Sequence, residues 1–311
     1  GGKMPAAYLE AYRKGRLQQS IERSHKWLAK CTLCPRFCRV NRAQGELGYC
    51  RTGRLAVLAS YGPHFGEESP LVGTNGSGTI FFSHCNLLCV FCQNYEISHG
   101  GEGVPVTAGQ LANIIVDLQK QGCHNINFVT PSHVIPQILE ALPAAIDQGL
   151  RVPLVYNCGG YDRVAALKLL DGIIDIYMPD FKFWEPEVAG QLCDASDYPE
   201  RAREAFREMH RQVGELKLDA KGVAYRGLLV RHLVMPAGLA GTKSVLQFLA
   251  KEISGQSYVN IMDQYRPCGG AVGKPDIGRR ITPDEYEEAL QMARDAGLTR
   301  LDQRSRRRFL L

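Results

Sequence analysis

No stretch of this chain is apolar enough for long enough to span a bilayer: its longest apolar runs fall far short of the ~20 residues a membrane helix needs. No charged stretch followed by an apolar one opens the chain, so no secretory signal is visible. Residues 1–3, ahead of Met4, read as a cloning remnant. Charge of one sign is also scarce. The formal net charge is +5, too weak on its own to argue for a nucleic-acid partner. No solenoid-type repeat is present. An even cysteine count is missing too. Eleven cysteines in a chain without a signal argue against a disulfide framework and for a reducing, cytoplasmic setting.

What is there is globular. The chain is 45% hydrophobic and 22% charged, within the ordinary range. Its 311 residues allow two domains, or one α/β barrel with an appendage. Leu9, Tyr12, Leu17, Ile21 and Leu28 predict one amphipathic helix over residues 5–30. A strand is expected at residues 54–61 and a Gly-rich connecting loop at 62–78. Further strands are expected at 79–83, 125–130, 152–157, 173–179, 228–235 and 258–262, with helical patterns between them. Thr107 with Gln110, and Thr282 with Glu285, read as capping boxes, and Pro283 suits the first position of its helix. The charged helix expected within 197–219 reads as a solvated face. Six strands alternating with helices predict a parallel sheet with right-handed crossovers. The fold class expected is α/β: a partial (β/α)6 TIM-like barrel, two units short of the full form. Its division is residues 1–77 (helix, Cys-rich module and linker), 78–300 (barrel) and 301–311 (a basic tail). Arg304, Arg306, Arg307 and Arg308 of that tail have no aromatic stacking platform beside them, and nucleic acid is not the expected partner.

Polar residues gather after the strands. Cys85–Cys92 follow the first barrel strand, and Thr130, Pro131, Ser132 and His133 the second. Asn157 and Cys158 end the third, and Asp180 and Lys182 follow the fourth. Arg231 and His232 lie near the end of the fifth, and Asp263, Gln264, Tyr265 and Arg266 follow the sixth. In a parallel barrel these positions converge on the C-terminal face, where active sites of such barrels lie. Cys85, Cys89 and Cys92 form a C-x3-C-x2-C motif. Three thiolates in so short a loop can hold three corners of a 4Fe–4S cubane and leave one iron without a protein ligand.

This spacing, with Phe91 before the last cysteine, resembles the signature of the radical S-adenosylmethionine (SAM) superfamily. Residues 93–97 (QNYEI) and 124–133 resemble the branch related to pyruvate formate-lyase activating enzymes, and the whole chain is similar to the PflX-like group within it. The resemblance implies a cytoplasmic iron–sulfur oxidoreductase that cleaves SAM to methionine and a 5′-deoxyadenosyl radical, which takes hydrogen from a substrate. It implies a reductant such as flavodoxin or ferredoxin and no membrane partner. The substrate is left open between a glycine in a partner protein, as for the activating enzymes, and a small molecule or peptide. Carried over by position, the resemblance puts Phe91 beside the adenine, Asn157 at the ribose or methionine part, Asp180 and Lys182 at the methionyl end, Arg231 at a carboxylate, and Gln264 or Tyr265 at the nucleoside. The activating enzymes carry Gly-Gly-Glu-Pro after the second strand. Here Thr130 and Ser132 stand instead, as hydrogen-bond acceptors for the SAM ammonium.

Cys31, Cys34, Cys38 and Cys50 form a second group, whose spacing fits a structural zinc site and equally an auxiliary iron–sulfur cluster. Treated as separate sites, the two groups are expected to lose metal independently. Arg36, Arg39 and Arg42 read as a solvated basic face. Cys268 lies in a Gly-rich loop that could cover the barrel. Cys123, Cys158 and Cys193 read as packing residues.

Overall fold

The computed structural model describes residues 4–303, so residues 1–3 and the arginines of the tail lie outside the described residues. Its strands are β1 (Ala56–His64), β2 (Ser77–Phe82), β3 (Val104–Val106), β4 (Ile126–Val129), β5 (Leu154–Cys158), β6 (Ile176–Pro179), β7 (Lys217–Leu218), β8 (Ala224–Leu233) and β9 (Tyr258–Met262). The order β2-β4-β5-β6-β8-β9 is parallel throughout, which makes the six-stranded partial barrel. Short strands extend or flank it. β1 lies antiparallel on β2, β3 antiparallel on β1, and β7 antiparallel on β8. The apolar stretches of β4, β5 and β6 are buried almost throughout, as strands covered on both faces must be.

The connection expected at 62–78 is more structured than its glycines suggest. β1 runs on to His64, and a short helix forms at Ser69–Val72. Leu71 from that helix packs with Val155, Ile176, Met178 and Leu229. These strand residues line the lumen, so Leu71 closes its floor. Side chains alternate along a strand. Asn157, Asp180 and Arg231 therefore continue the same inward rows above that apolar floor. Register pairs Asn157 with Met178, Asp180 with Arg231, and Arg231 with Asn260, which brings these rows to one level.

The outer faces carry the helices. Where one N-terminal helix was expected, two form, Ala7–Arg13 and Arg16–Leu28, because Gly15 takes a left-handed φ of 76° between them. They dock against the barrel through Tyr8, whose hydroxyl donates to the Val152 carbonyl at 2.7 Å, and through Ala7 N–H, which donates to Asp175 at 2.7 Å. The charged helix is Tyr198–Val213. It is not simply a solvated face: Tyr198, Ala202, Phe206, Met209 and Val213 are buried. Both capping boxes form as the sequence suggests. No helix among the described residues is long and apolar enough to cross a membrane.

Candidate active site

The loop after β2 turns sharply. His84 and Leu88 both take left-handed φ, 68° and 54°. This aims backbone N–H groups at sulfur. Leu87 N–H donates to Cys85 Sγ at 3.3 Å, and Leu88 N–H contributes a second bond. Cys92 Sγ accepts from the Ser98 hydroxyl at 3.2 Å and from Asn94 N–H. Cys89 lies close enough to act electrostatically on both other thiols. Burial pushes Cys85 up to about 12 and raises Cys92. The Cys193 thiol, 3.1 Å from Cys89, raises Cys89 further together with burial. These thiols keep their protons until a metal centre supplies positive charge, which inverts the balance. Among the described residues, no three Cys, His, Asp or Glu side chains converge on a single ion. Clustered thiols with N–H groups aimed at sulfur fit the wider corners of a cubane instead, so the donor set suits the group that the motif implies.

Above the floor of the lumen lies a chain of buried charges. Asp180 accepts from Lys182 Nζ at 2.7 Å and from Arg231 Nε at 2.8 Å. Arg231 also donates to Asn157 Oδ1 at 3.0 Å and lies 3.8 Å from Glu68. Burial opposes the charge on Asp180, but Arg231 and Lys182 outweigh it and hold the carboxyl below its usual range. Burial opposes the charge on Lys182 too, and Asp180 outweighs it, keeping the ammonium. Burial pushes Glu68 up in spite of Arg231. Glu68 Oε1 accepts from Asn260 at 2.9 Å, and the Glu67 carboxyl lies against the Glu68 side chain. Lys182 and Asp180 both act electrostatically on Cys89, which places the charge chain beside the cysteine loop.

The expected site residues divide. Asn157, Asp180, Lys182 and Arg231 meet in one network. Phe91 is buried with its ring edge-on to Phe183 and Tyr265. Gln264 is exposed, and only its carbonyl meets the cysteine loop, through Gln93. Tyr265 is the buried partner of Phe91. Thr130 has a left-handed φ of 60°, and its N–H donates to the Asn157 carbonyl. Ser132 hydrogen-bonds toward Tyr156 and Asp162, on the outer side of β5 rather than among the lumen residues. Cys158 joins that outer group. His232, taken with Arg231 as a site residue, faces outward: its ring nitrogens meet the Phe181 carbonyl and the Thr242 hydroxyl. The loop around Cys268 does pack on the cysteine loop. Gly270 N–H donates to the Val90 carbonyl at 2.8 Å, and a Cβ on Gly269 would collide with the Tyr95 ring. Two participants gave no sequence signal: Glu68, in an apparent linker, and Cys193, far along the chain from Cys89.

Cys31, Cys34, Cys38 and Cys50 line one cavity with Leu33, Arg42 and His133. Arg36 and Arg42 are not a solvated face. Arg36 lies over the Tyr49 ring at 3.7 Å and donates to the carbonyls of Asn86, Leu87, Cys193 and Asp194. It therefore ties the upstream cysteines to the C-x3-C-x2-C loop, and the two groups are not separate bodies.

A family model described as the Radical SAM superfamily matches residues 79–218, from within β2 to the end of β7. Over 293 residues the chain is 31% identical to the uncharacterized protein MJ0674 of Methanocaldococcus jannaschii, covering 92% of this chain and 80% of that protein. A solved structure, the radical S-adenosylmethionine methyltransferase TsrM from Kitasatospora setae with cobalamin and a 4Fe–4S cluster bound, is similar with a TM-score of 0.41 and 13% identity. That match covers 60% of this chain and only 36% of the other.

Proposed function

Because this chain belongs to the radical SAM superfamily, we propose that it binds SAM over the Cys85–Cys89–Cys92 loop, cleaves it reductively, and uses the product radical on a glycine of a partner protein. Membership implies a 4Fe–4S cluster and SAM as cofactors. When bound, that pair supplies one-electron cleavage of the sulfonium and a hydrogen-abstracting radical. The protein's part is to bind, orient and exclude water. The observation that carries the reading is the buried Lys182–Asp180–Arg231–Asn157 chain beside Cys89. It sets a carboxylate between an ammonium and a guanidinium in one fixed array beside the cysteine loop. That is the complement of a zwitterionic amino-acid moiety such as the methionyl end of SAM. Phe91 packs edge-on against Tyr265 and against Phe183, the residue after Lys182. The activating-enzyme reading rests on Asp180 and Lys182 matching that branch's D-x-K element.

The test is anaerobic reconstitution with iron and sulfide, reduction with dithionite, and measurement of 5′-deoxyadenosine and methionine. Both products are expected in equal amounts. Iron-replete protein that leaves SAM intact would overturn the reading. A glycyl-radical EPR signal on an added partner enzyme would support the glycine target; SAM cleavage accelerated by a small molecule or peptide instead would replace it.

A further inference from the structure

We propose that Cys31, Cys34, Cys38 and Cys50 hold a second iron–sulfur cluster, fully ligated by protein and packed against the SAM-cleaving loop. The four thiols come from a 20-residue stretch, and all four line one cavity. The stretch is bent to make that cavity. Phe37, Arg39 and Arg51, none of them glycine, take left-handed φ of 47°, 59° and 52°. Such conformations cost free energy and persist where the surroundings impose them. Hydrogen-bond donors face the sulfurs. Tyr49 N–H donates to Cys38 Sγ at 3.3 Å, and Cys34 receives Arg36 N–H and the Asn86 side chain. Gly48 lets the backbone approach Cys38 so closely that a Cβ there would meet the cysteine's own Cβ at 2.7 Å.

A further observation asks for an anionic guest. Arg42 is 1% exposed. Its guanidinium meets the carbonyls of Gly53 and His133 and the Cys31 thiol at 3.8 Å, and among the described residues no carboxylate pairs with it. A buried cation with only neutral partners is costly. Four thiolates around a cluster would supply the missing negative charge.

Adjacency to the C-x3-C-x2-C loop favours a redox centre over a lone structural zinc: Arg36 of this stretch donates to the carbonyls of Asn86 and Leu87, which follow Cys85 directly.

The test uses the full chain carrying Cys85→Ala, Cys89→Ala and Cys92→Ala, so that its outcome does not depend on SAM cleavage. After anaerobic reconstitution, about four iron and four sulfide per chain are expected. The reduced EPR signal should be unmoved by SAM, because no iron is left open. Binding of zinc alone, no metal at all, or a signal that SAM shifts would overturn the proposal. Should circular dichroism show that this variant is unfolded, Cys34→Ser with Cys50→Ser in the otherwise native chain decides instead. About half of the iron should be lost relative to the parent; unchanged iron would overturn the proposal.

Discussion

The two cysteine groups lie against each other and differ in what surrounds them. The Cys85–Cys92 loop has three thiols and stands beside a lumen whose charges are paired among themselves: Asp180 with Lys182 and Arg231. The upstream group has four thiols, and its one fully buried guanidinium, Arg42, lacks a carboxylate partner. In the first arrangement the buried Asp180, Lys182 and Arg231 find their partners within the protein. In the second, among the described residues, the buried guanidinium finds no carboxylate. On the proposed reading, charge balance separates a site for SAM turnover from one that retains a cluster.

Three substitutions break or sharpen this contrast. The largest effect is expected from Cys89→Ala, which should abolish 5′-deoxyadenosine formation in reconstituted, reduced protein. Measurable cleavage in that variant would show that Cys89 is not a ligand. Next comes Asp180→Asn. It strands Lys182 and Arg231 without their shared carboxylate and should cost about 3–5 kcal/mol, the usual penalty for breaking a buried pair. Chemical denaturation measures the loss, and SAM affinity from equilibrium dialysis should fall alongside. The smallest is Arg42→Met, and its sign should depend on metal. In the metal-free chain, removing an unpaired buried cation should raise stability by about 1–4 kcal/mol. In the reconstituted chain the same change removes the counter-charge of the thiolates and should lower stability. Thermal melts with and without reconstitution check this, and the same sign in both states would refute the charge argument.

Much of the architecture is legible along the chain. The strand and helix alternation places five of the six barrel strands nearly in full, and the start of β8 is the exception. β8 begins at Ala224, ahead of the expected start at 228, and its first residues pair antiparallel with β7. The break at Gly15 was hidden because apolar spacing continues across it in register. Among site residues, Gln264 and Tyr265 differ by one position, and strand-end geometry alone exposes one and buries the other. Ser132 was expected at the cofactor because its loop ends at the right face. The left-handed turn at Thr130 sends the hydroxyl toward Asp162 instead. The basic residues at 36 and 42 resemble a solvated patch because charge carries no sign of burial until its partners are known.

What the amino-acid order determined by itself is whatever short covalent reach enforces. Three cysteines within eight residues must share a loop, and four within twenty can share a cavity. The period of apolar residues likewise assigns strands and helices with no long-range information. Only the folded chain decided which of those features face one another. Arg231 meets Asp180 across 51 residues and Cys193 meets Cys89 across 104. Glu68 reaches Asn260 across 192. Those meetings depend on strand register and on the side of the pleat, and a shift of one residue would turn every such side chain to the opposite face.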